Sequence, residues 1–186
     1  MTVAHRTGSG EMKSLYQNLL GDAFHSLPVA VRELHSHTES VVYRGRGSVE
    51  RGNGLLSRIV GALMHFPPAM QDTPVIVAFD IRNGTETWTR QFGEHHFQSR
   101  LSSFEEELRE SFGWVNIQFR IEATADALHM RPTGWRVLGM PLPRAFWPRI
   151  VAHEYEALGL FHFHVEAALP LAGLVVRYRG SLRQAT

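Results

Sequence analysis

Residues 115–121 read Val-Asn-Ile-Gln-Phe-Arg-Ile, the clearest structural signal in the chain. Apolar side chains stand at every second position, and polar side chains stand between them. This period of two places the apolar residues on one face of a β-strand and the polar residues on the other. The stretch therefore predicts a sheet with one face toward the core and one toward solvent, as in many antiparallel sheets.

Further strand signals lie on both sides of this stretch. Val75–Ile81 is strongly apolar, and Asn83-Gly84 is a hairpin signal that separates it from Thr85–Phe92. Other segments of alternating or apolar character are also predicted strands: residues 41–49, 96–101, 128–130, 135–138, 150–155, 161–169 and 174–182.

Helical spacing is concentrated in the N-terminal third. Apolar residues from Met12 to Leu20 repeat at helical spacing, and Gly21 can end that helix. We predict a second helix from Ser26 and a third helix after Asn53, because both residues are favourable N-caps.

Ser103–Phe112 fits two interpretations. Ser103 and Glu106 have the spacing of a capping box, which favours a helix. Leu108 and Phe112 would also share one face of a strand. We predict a helix in this segment.

A tripeptide near the first strand, Tyr43-Arg44-Gly45, recurs in the last strand as Tyr178-Arg179-Gly180. Glycine inside a strand marks a bend or a close approach of backbones. If these two strands are neighbours, the sheet can curl round and close as a barrel. The alternative, which we favour, is a chance similarity over three residues.

The predicted fold class is α+β. We expect a curved antiparallel sheet of about eight to ten strands, a barrel or half-barrel of lipocalin-like or helix-grip-like geometry. The N-terminal helices would cover one opening. We expect a disordered tail over residues 1–10 and a single domain over residues 11–186.

Composition narrows the classes of function. The 186 residues include no cysteine, which excludes disulfides, thiolate nucleophiles and zinc–thiolate sites. The net charge of +1 gives no indication of nucleic-acid binding. No apolar run is long enough to span a bilayer, and the first ten residues lack the apolar core of a signal peptide. We therefore expect a cytoplasmic protein that is not an integral membrane protein.

An arginine stands between two large rings in one predicted strand. Trp88, Arg90 and Phe92 share one face, so Arg90 needs a partner if the rings point inward. One interpretation is an interior anchor for a ligand carboxylate or phosphate. The alternatives are a structural ion pair, for instance with Glu154, and an exposed arginine stacked on Trp88.

Glu154 is the second candidate for interior chemistry. It alternates inward with Ala152 in a predicted strand, where it would serve as a general base or as the partner of Arg90. A surface glutamate near a strand end is the simpler interpretation.

Two histidines invite a metal-site interpretation. His162-x-His164-x-Glu166 places two imidazoles and a carboxylate on one strand face. The opposite face carries Phe161 and Phe163, whose rings favour the core and turn the histidines to solvent. We therefore predict neither a metal site nor a cofactor.

A basic patch is a further candidate. Arg44 and Arg46 would lie beside Arg177 and Arg179 if the first and last strands pair. Such a patch would bind an acidic partner or phospholipid headgroups. The alternative is a solvated face that is balanced by acidic residues.

Short motifs also run through the chain in a characteristic series. They are Leu15-Tyr16, Leu19-Leu20-Gly21, Leu27-Pro28, Gly45-Arg46-Gly47, Trp88-x-Arg90-x-Phe92, Gly134-Trp135, residues 138–143, Phe161-x-Phe163-x-Val165 and Val176-x-Tyr178-x-Gly180. The series resembles a bacterial domain-of-unknown-function family, DUF4166, from about Leu15 to Leu182. The resemblance implies no activity, cofactor or catalytic residue, and His162-x-His164 is not part of it.

Three hypotheses of function remain open. The first is a binding module for a small apolar or amphipathic, acidic ligand, with Arg90 as the anchor. Its cavity would be lined by Trp88, Phe92, Phe161, Phe163 and Tyr178. The second is an enzyme of the cyclase or isomerase type that uses Glu154 in the same cavity. The third is a module without a cavity that docks on an enzyme partner.

Overall fold

The structure of the protein is a computed structural model that describes residues 12–170 and 172–185. The predicted tail over residues 1–10 lies outside the described residues. The α-helices are α1 (Leu15–Leu20), α2 (Val29–His35) and α3 (Leu55–Leu63), and the 3₁₀ helices are Gly21–Ser26 and Arg144–Phe146.

In the described part of the chain, eleven strands follow the first two helices, and all of them belong to one sheet. They are β1 (Val41–Arg51), β2 (Met70–Arg82), β3 (Thr85–Phe92), β4 (His95–Phe104), β5 (Glu107–Phe112), β6 (Val115–Ala123), β7 (Ala127–Val137), β8 (Met140–Pro141), β9 (Arg149–Ala157), β10 (Leu160–Leu169) and β11 (Gly173–Gln184).

The sheet closes on itself as a ten-stranded antiparallel barrel. β1 pairs with both β2 and β11, and β7 pairs with both β6 and β9. The two-residue strand β8 pairs with the end of β7 and stands outside the ring. The predicted α+β class and the curved antiparallel sheet are confirmed, and of the two predicted forms the structure has the closed barrel.

The first and last strands meet where the repeated tripeptides lie. Gly45 is opposite Leu182, and Gly47 is opposite Gly180. A Cβ atom on Gly45 would overlap the carbonyl oxygen of Ser181, and one on Gly180 would overlap that of Arg46. Only glycine allows the two backbones to approach this closely.

The helix predicted over Ser103–Phe112 is wrong. The segment is a hairpin in which Glu105 and Glu106, with φ of +51° and +62°, form the turn between β4 and β5. Leu108 and Glu110 point into the barrel and are buried. Pairing of β5 with both β4 and β6 outweighs the local helical preference.

Several predicted boundaries also change. The two strands predicted near residues 128–130 and 135–138 are one continuous strand, β7. The first helix begins after Ser14, which forms a capping box with Gln17. Pro28 and Gly54, rather than Ser26 and Asn53, occupy the N-cap positions of α2 and α3.

The two ends of the barrel differ. At one end, here called the closed end, α1 and α2 pack across the opening with buried apolar side chains. These are Leu15 and Tyr16 of α1 and Val31 and Leu34 of α2, and the buried Leu27 lies just before α2. The other end, here called the mouth, carries α3, the turns at residues 93–94 and 113–114, and the connection from β7 to β9.

Candidate functional site: the barrel interior

The barrel encloses a cavity of about 770 Å³. Its lining is mostly aromatic and aliphatic, because alternate residues of every strand point inward. The lining includes all seven residues singled out in the sequence: Trp88, Arg90, Phe92, Glu154, Phe161, Phe163 and Tyr178.

The cavity reaches solvent at the mouth. The lining residues that are exposed include Leu56 and Leu63 on α3, Trp114 in the β5–β6 turn, and Phe146 between β8 and β9. All of them belong to this end of the barrel. At the closed end the lining residues Tyr16 and Leu34 are fully buried.

Arg90 lies inside the barrel, and its carboxylate partner is Glu110. Its guanidinium donates to Glu110 Oε1 at 3.1 Å and to Ser99 Oγ at 2.7 Å. The guanidinium carbon lies 4.8 Å from the centre of the Trp88 ring. The suggested pair with Glu154 is wrong, since Glu110 on β5 faces β3 across β4 in the barrel wall.

The charge of Arg90 is stabilised by these partners. Burial alone would lower the pKa of the guanidinium, but the negative charge of Glu110 raises it above its usual value. Arg90 therefore remains a cation in an apolar cavity, and Glu110 offsets that charge.

Glu154 lines the cavity and is held by a histidine from α2. Its Oε2 lies 2.5 Å from Nε2 of His35, and both side chains are buried. The ring of Tyr16 lies over His35 with a centroid distance of 3.7 Å. Among the described residues, the Tyr16 hydroxyl has no hydrogen-bond partner although it is buried beside the cavity.

A third carboxylate completes this polar cluster. Glu86 is buried on β3 and accepts a hydrogen bond from Trp88 Nε1 at 2.8 Å. Burial raises the pKa of Glu86, while the hydrogen bond from Trp88 opposes that rise. We name Tyr16, His35, Glu86, Arg90, Glu110 and Glu154 the polar cluster.

Two tyrosines of the cavity stay neutral. Burial, followed by the negative charge of Glu154, raises the pKa of Tyr16 well above its usual value. Burial also raises the pKa of Tyr178 to about 12. Both phenols can therefore donate a hydrogen bond to a ligand without losing a proton.

The sequence did not reveal four members of the cluster: Tyr16, His35, Glu86 and Glu110. Glu86 has the same parity as Trp88 and Arg90, so the alternation alone would have placed it inside. Glu110 was assigned to a helix, which hid its inward direction. His35 is 119 residues from Glu154, and no local pattern links them.

The outer face of the barrel carries stacked histidines. Phe161 and Phe163 point inward, and His164 lies on the opposite face beside His153 and, one strand further, His129. The ring centroids of His153 and His164 are 5.0 Å apart. Among the described residues, no three or more side chains of histidine, aspartate or glutamate are arranged so that they could hold a metal ion.

Acidic residues balance the basic patch on the first and last strands. Arg177 pairs with Glu50 and Glu166, and Arg46 pairs with Asp72. This surface therefore fits the alternative given above, a solvated face on which acidic residues balance the arginines.

The stacked histidines predict a loss of stability in acid. Burial, followed by the charge of His164, lowers the pKa of His153 below 6.5. Because the unfolded chain binds this proton more readily, the free energy of unfolding should fall as the pH drops below that value. Urea unfolding at about pH 7 and about pH 5 measures this dependence.

His153→Gln should show a smaller loss of stability than the wild type between these pH values. His95→Gln, at an exposed histidine near the mouth, is the matched control and should keep the wild-type dependence. Equal slopes for His153→Gln and the wild type would contradict the assignment.

The geometry defines a class of protein: a closed ten-stranded antiparallel barrel with one mouth, an apolar cavity and a buried polar cluster. The sequence profile described as domain of unknown function (DUF4166) matches residues 27–182, and the chain belongs to this family. No curated protein matches the sequence. None of the helices in the described part of the chain has the length and apolar character needed to cross a bilayer.

Proposed function

We propose that the protein binds a small amphipathic molecule inside the barrel. The observation that carries this proposal is the 770 Å³ cavity, whose apolar walls end in a buried polar cluster. A site of this volume is within the usual range of about 300–1,000 Å³ for small-molecule pockets.

The walls suit the apolar part of such a ligand. Phe92, Phe163 and Tyr178 are mutually in contact, with ring centroids 5.8–6.4 Å apart. Their rings are buried with respect to solvent yet line the empty volume. A hydrocarbon chain or ring system placed there would exchange water for aromatic and aliphatic contacts.

The polar cluster suits the head of the ligand. Arg90 donates only two of its five N–H groups to Ser99 and Glu110, and the Tyr16 hydroxyl is unpartnered among the described residues. An acidic head would reach Arg90 in competition with Glu110. A hydroxyl or carbonyl would bond to Arg90 or Tyr16 while leaving that pair intact.

The test is displacement of a fluorescent probe from the purified protein. Anilinonaphthalene sulfonate should bind in the cavity, and lauric acid and dodecanol should displace it. The relative strength of these two competitors reports whether the head is acidic or neutral. Native mass spectrometry on the gently purified protein would detect a ligand that is retained from the host.

A pair of adjacent variants separates the cavity from the surface. Ala152→Trp places an indole in the cavity and should weaken probe binding by about tenfold or more. Val151→Trp, one residue earlier on the exposed face of β9, should leave probe binding unchanged. Equal binding by both variants would refute the proposal.

A second candidate function, acid–base catalysis, rests on the short contact between Glu154 and His35. A carboxylate that lines a cavity and is held by an imidazole can take and return a proton of a bound molecule. Isomerisation or cyclisation are reactions of this kind. This candidate shares the cavity and differs only in whether the bound molecule changes.

Glu154→Gln distinguishes the two candidates. If Glu154 is a general base, the molecule extracted from this variant should be the substrate, and that from the wild type the product. Mass spectrometry and chromatographic retention would separate them. An identical molecule in both proteins would exclude catalysis by Glu154 and leave the binding function.

A further inference from the structure

α3 exposes several large apolar side chains to solvent at the mouth. It contacts the barrel through two small buried residues, Ser57 and Gly61. Ser57 Oγ donates to the carbonyl of Ala172 at 3.0 Å. Four exposed residues of the helix are large and apolar: Leu55 (75%), Leu56 (48%), Ile59 (48%) and Leu63 (53%).

The apolar surface of α3 continues around the mouth. Trp114 and Phe146 are exposed and line the entrance of the cavity together with Leu56 and Leu63. Leu138, whose backbone N–H donates to the carbonyl of Trp114, extends the surface further. An exposed apolar surface of this kind marks an interaction site.

Positive charges predominate near this surface, and the exposed Asp72 at the start of β2 is paired with Arg46. Residues 52–69, 93–94, 113–114 and 136–149 contain a single acidic residue, Glu94. The same segments carry four exposed arginines: Arg58, Arg136, Arg144 and Arg149.

The closed end has the opposite charge. Residues 12–40, 105–106 and 124–126 contain two basic residues, Lys13 and Arg32. Against these stand six acidic residues: Asp22, Glu33, Glu39, Glu105, Glu106 and Asp126. A negatively charged surface would therefore orient the protein so that its mouth faces that surface.

We propose that the mouth docks on the surface of an anionic phospholipid bilayer, with α3 lying in the interface. An interfacial helix combines a leucine-rich apolar face with basic residues at its border, as α3 does with Arg58. Each arginine near such a surface adds favourable energy, and aromatic residues such as Trp114 and Phe146 prefer the headgroup level.

Docking in this orientation explains why an apolar ring surrounds the entrance of an apolar cavity. A molecule that leaves the bilayer would pass Leu56 and Leu63 at the entrance and reach the cavity without crossing bulk water. The docking itself does not require the ligand, so the two proposals can fail separately.

Co-sedimentation with vesicles tests the proposal. Vesicles of phosphatidylcholine mixed with phosphatidylglycerol should bind the full chain, and pure phosphatidylcholine vesicles should bind it much less. Added salt should weaken binding to the mixed vesicles because the charge attraction is screened.

Two matched pairs of variants locate the contact. Leu55→Ser/Ile59→Ser removes apolar residues of α3 that do not line the cavity, and it should reduce binding about tenfold. Leu158→Ser, at a fully exposed leucine of the closed end, should bind like the wild type. Arg58→Glu/Arg144→Glu should also lose binding by about tenfold or more, whereas Arg100→Glu/Arg183→Glu, with the same change in net charge, should lose less.

Three outcomes would overturn the proposal. The first is absence of binding to the mixed vesicles. The second is equal loss in the variants of the mouth and their controls. The third has two parts. The wild type does not bind vesicles, and light scattering shows it to be a dimer that Leu55→Ser/Ile59→Ser dissociates. Ala152→Trp should keep vesicle binding while losing the probe, which distinguishes failure of docking from failure of ligand binding.

Discussion

Glu110→Ala should lower the free energy of unfolding by about 3 kcal/mol, because it leaves a charged arginine inside the barrel without a carboxylate. Arg90 and Glu110 both have side chains that are close to fully buried. Removing one partner forfeits the attraction but keeps the cost of holding the other charge away from water. Equilibrium unfolding in urea measures the difference.

Two comparisons make this prediction specific to the buried pair. Arg90→Met/Glu110→Leu removes both charges and should be close to the wild type in stability. Arg120→Ala breaks the exposed pair with Glu107 and should cost only about 0.5 kcal/mol. If Glu110→Ala were as stable as Arg120→Ala, the interior of the barrel would have to admit enough water to hydrate Arg90.

Gly45→Val should destabilise the protein by about 3 kcal/mol, since its side chain must displace a backbone. A Cβ atom at Gly45 would overlap the carbonyl oxygen of Ser181 on β11. The pairing that closes the barrel lies at this point, so β1 and β11 would separate locally. Hydrogen exchange should show early loss of protection in these two strands.

Arg44→Val is the control for this substitution. Arg44 precedes Gly45 on β1, and its side chain is exposed on the outer face. Valine is favourable in strands, so this variant should stay within about 0.5 kcal/mol of the wild type. Equal destabilisation by both variants would show that the sheet, rather than the close approach at Gly45, is sensitive to valine.

The sequence predicted the strands of the barrel wall well. In a half-buried strand, apolar and polar residues alternate, and the apolar residues mark the face that points to the core. Val115, Ile117 and Phe119 are buried as expected, and the asparagine and glutamine between them are not. The recurring Tyr-Arg-Gly tripeptide allowed closure as one interpretation beside chance similarity. Its glycines, Gly45 and Gly180, lie at close approaches of the β1 and β11 backbones.

The failure at Ser103–Phe112 has a physical cause. Capping-box spacing is a local preference, and it was outweighed by two neighbouring strands that need partners. A helix in this segment does not predict that Glu110 points into the barrel, so the partner of Arg90 was not recognised.

The sequence indicated the inward direction of Arg90 and Glu154 but not their partners, Glu110 and His35. Trp88 and Arg90 follow from parity along one strand. The contact between Glu154 and His35 depends on how α2 crosses the closed end, which no spacing in the chain records. Contacts between distant segments of this kind require the three-dimensional structure.

The pairing of β1 with β11 also governs how the chain reaches its native state. The partners Tyr43 and Gln184 are separated by about three quarters of the chain, so the ring cannot be completed before the last strand has been synthesised. Until then the outer edges of β1 and β10 present unsatisfied amides and carbonyls to other polypeptides. Folding should therefore be slow for a protein of this size and sensitive to concentration during refolding, because its decisive contact spans so long a loop.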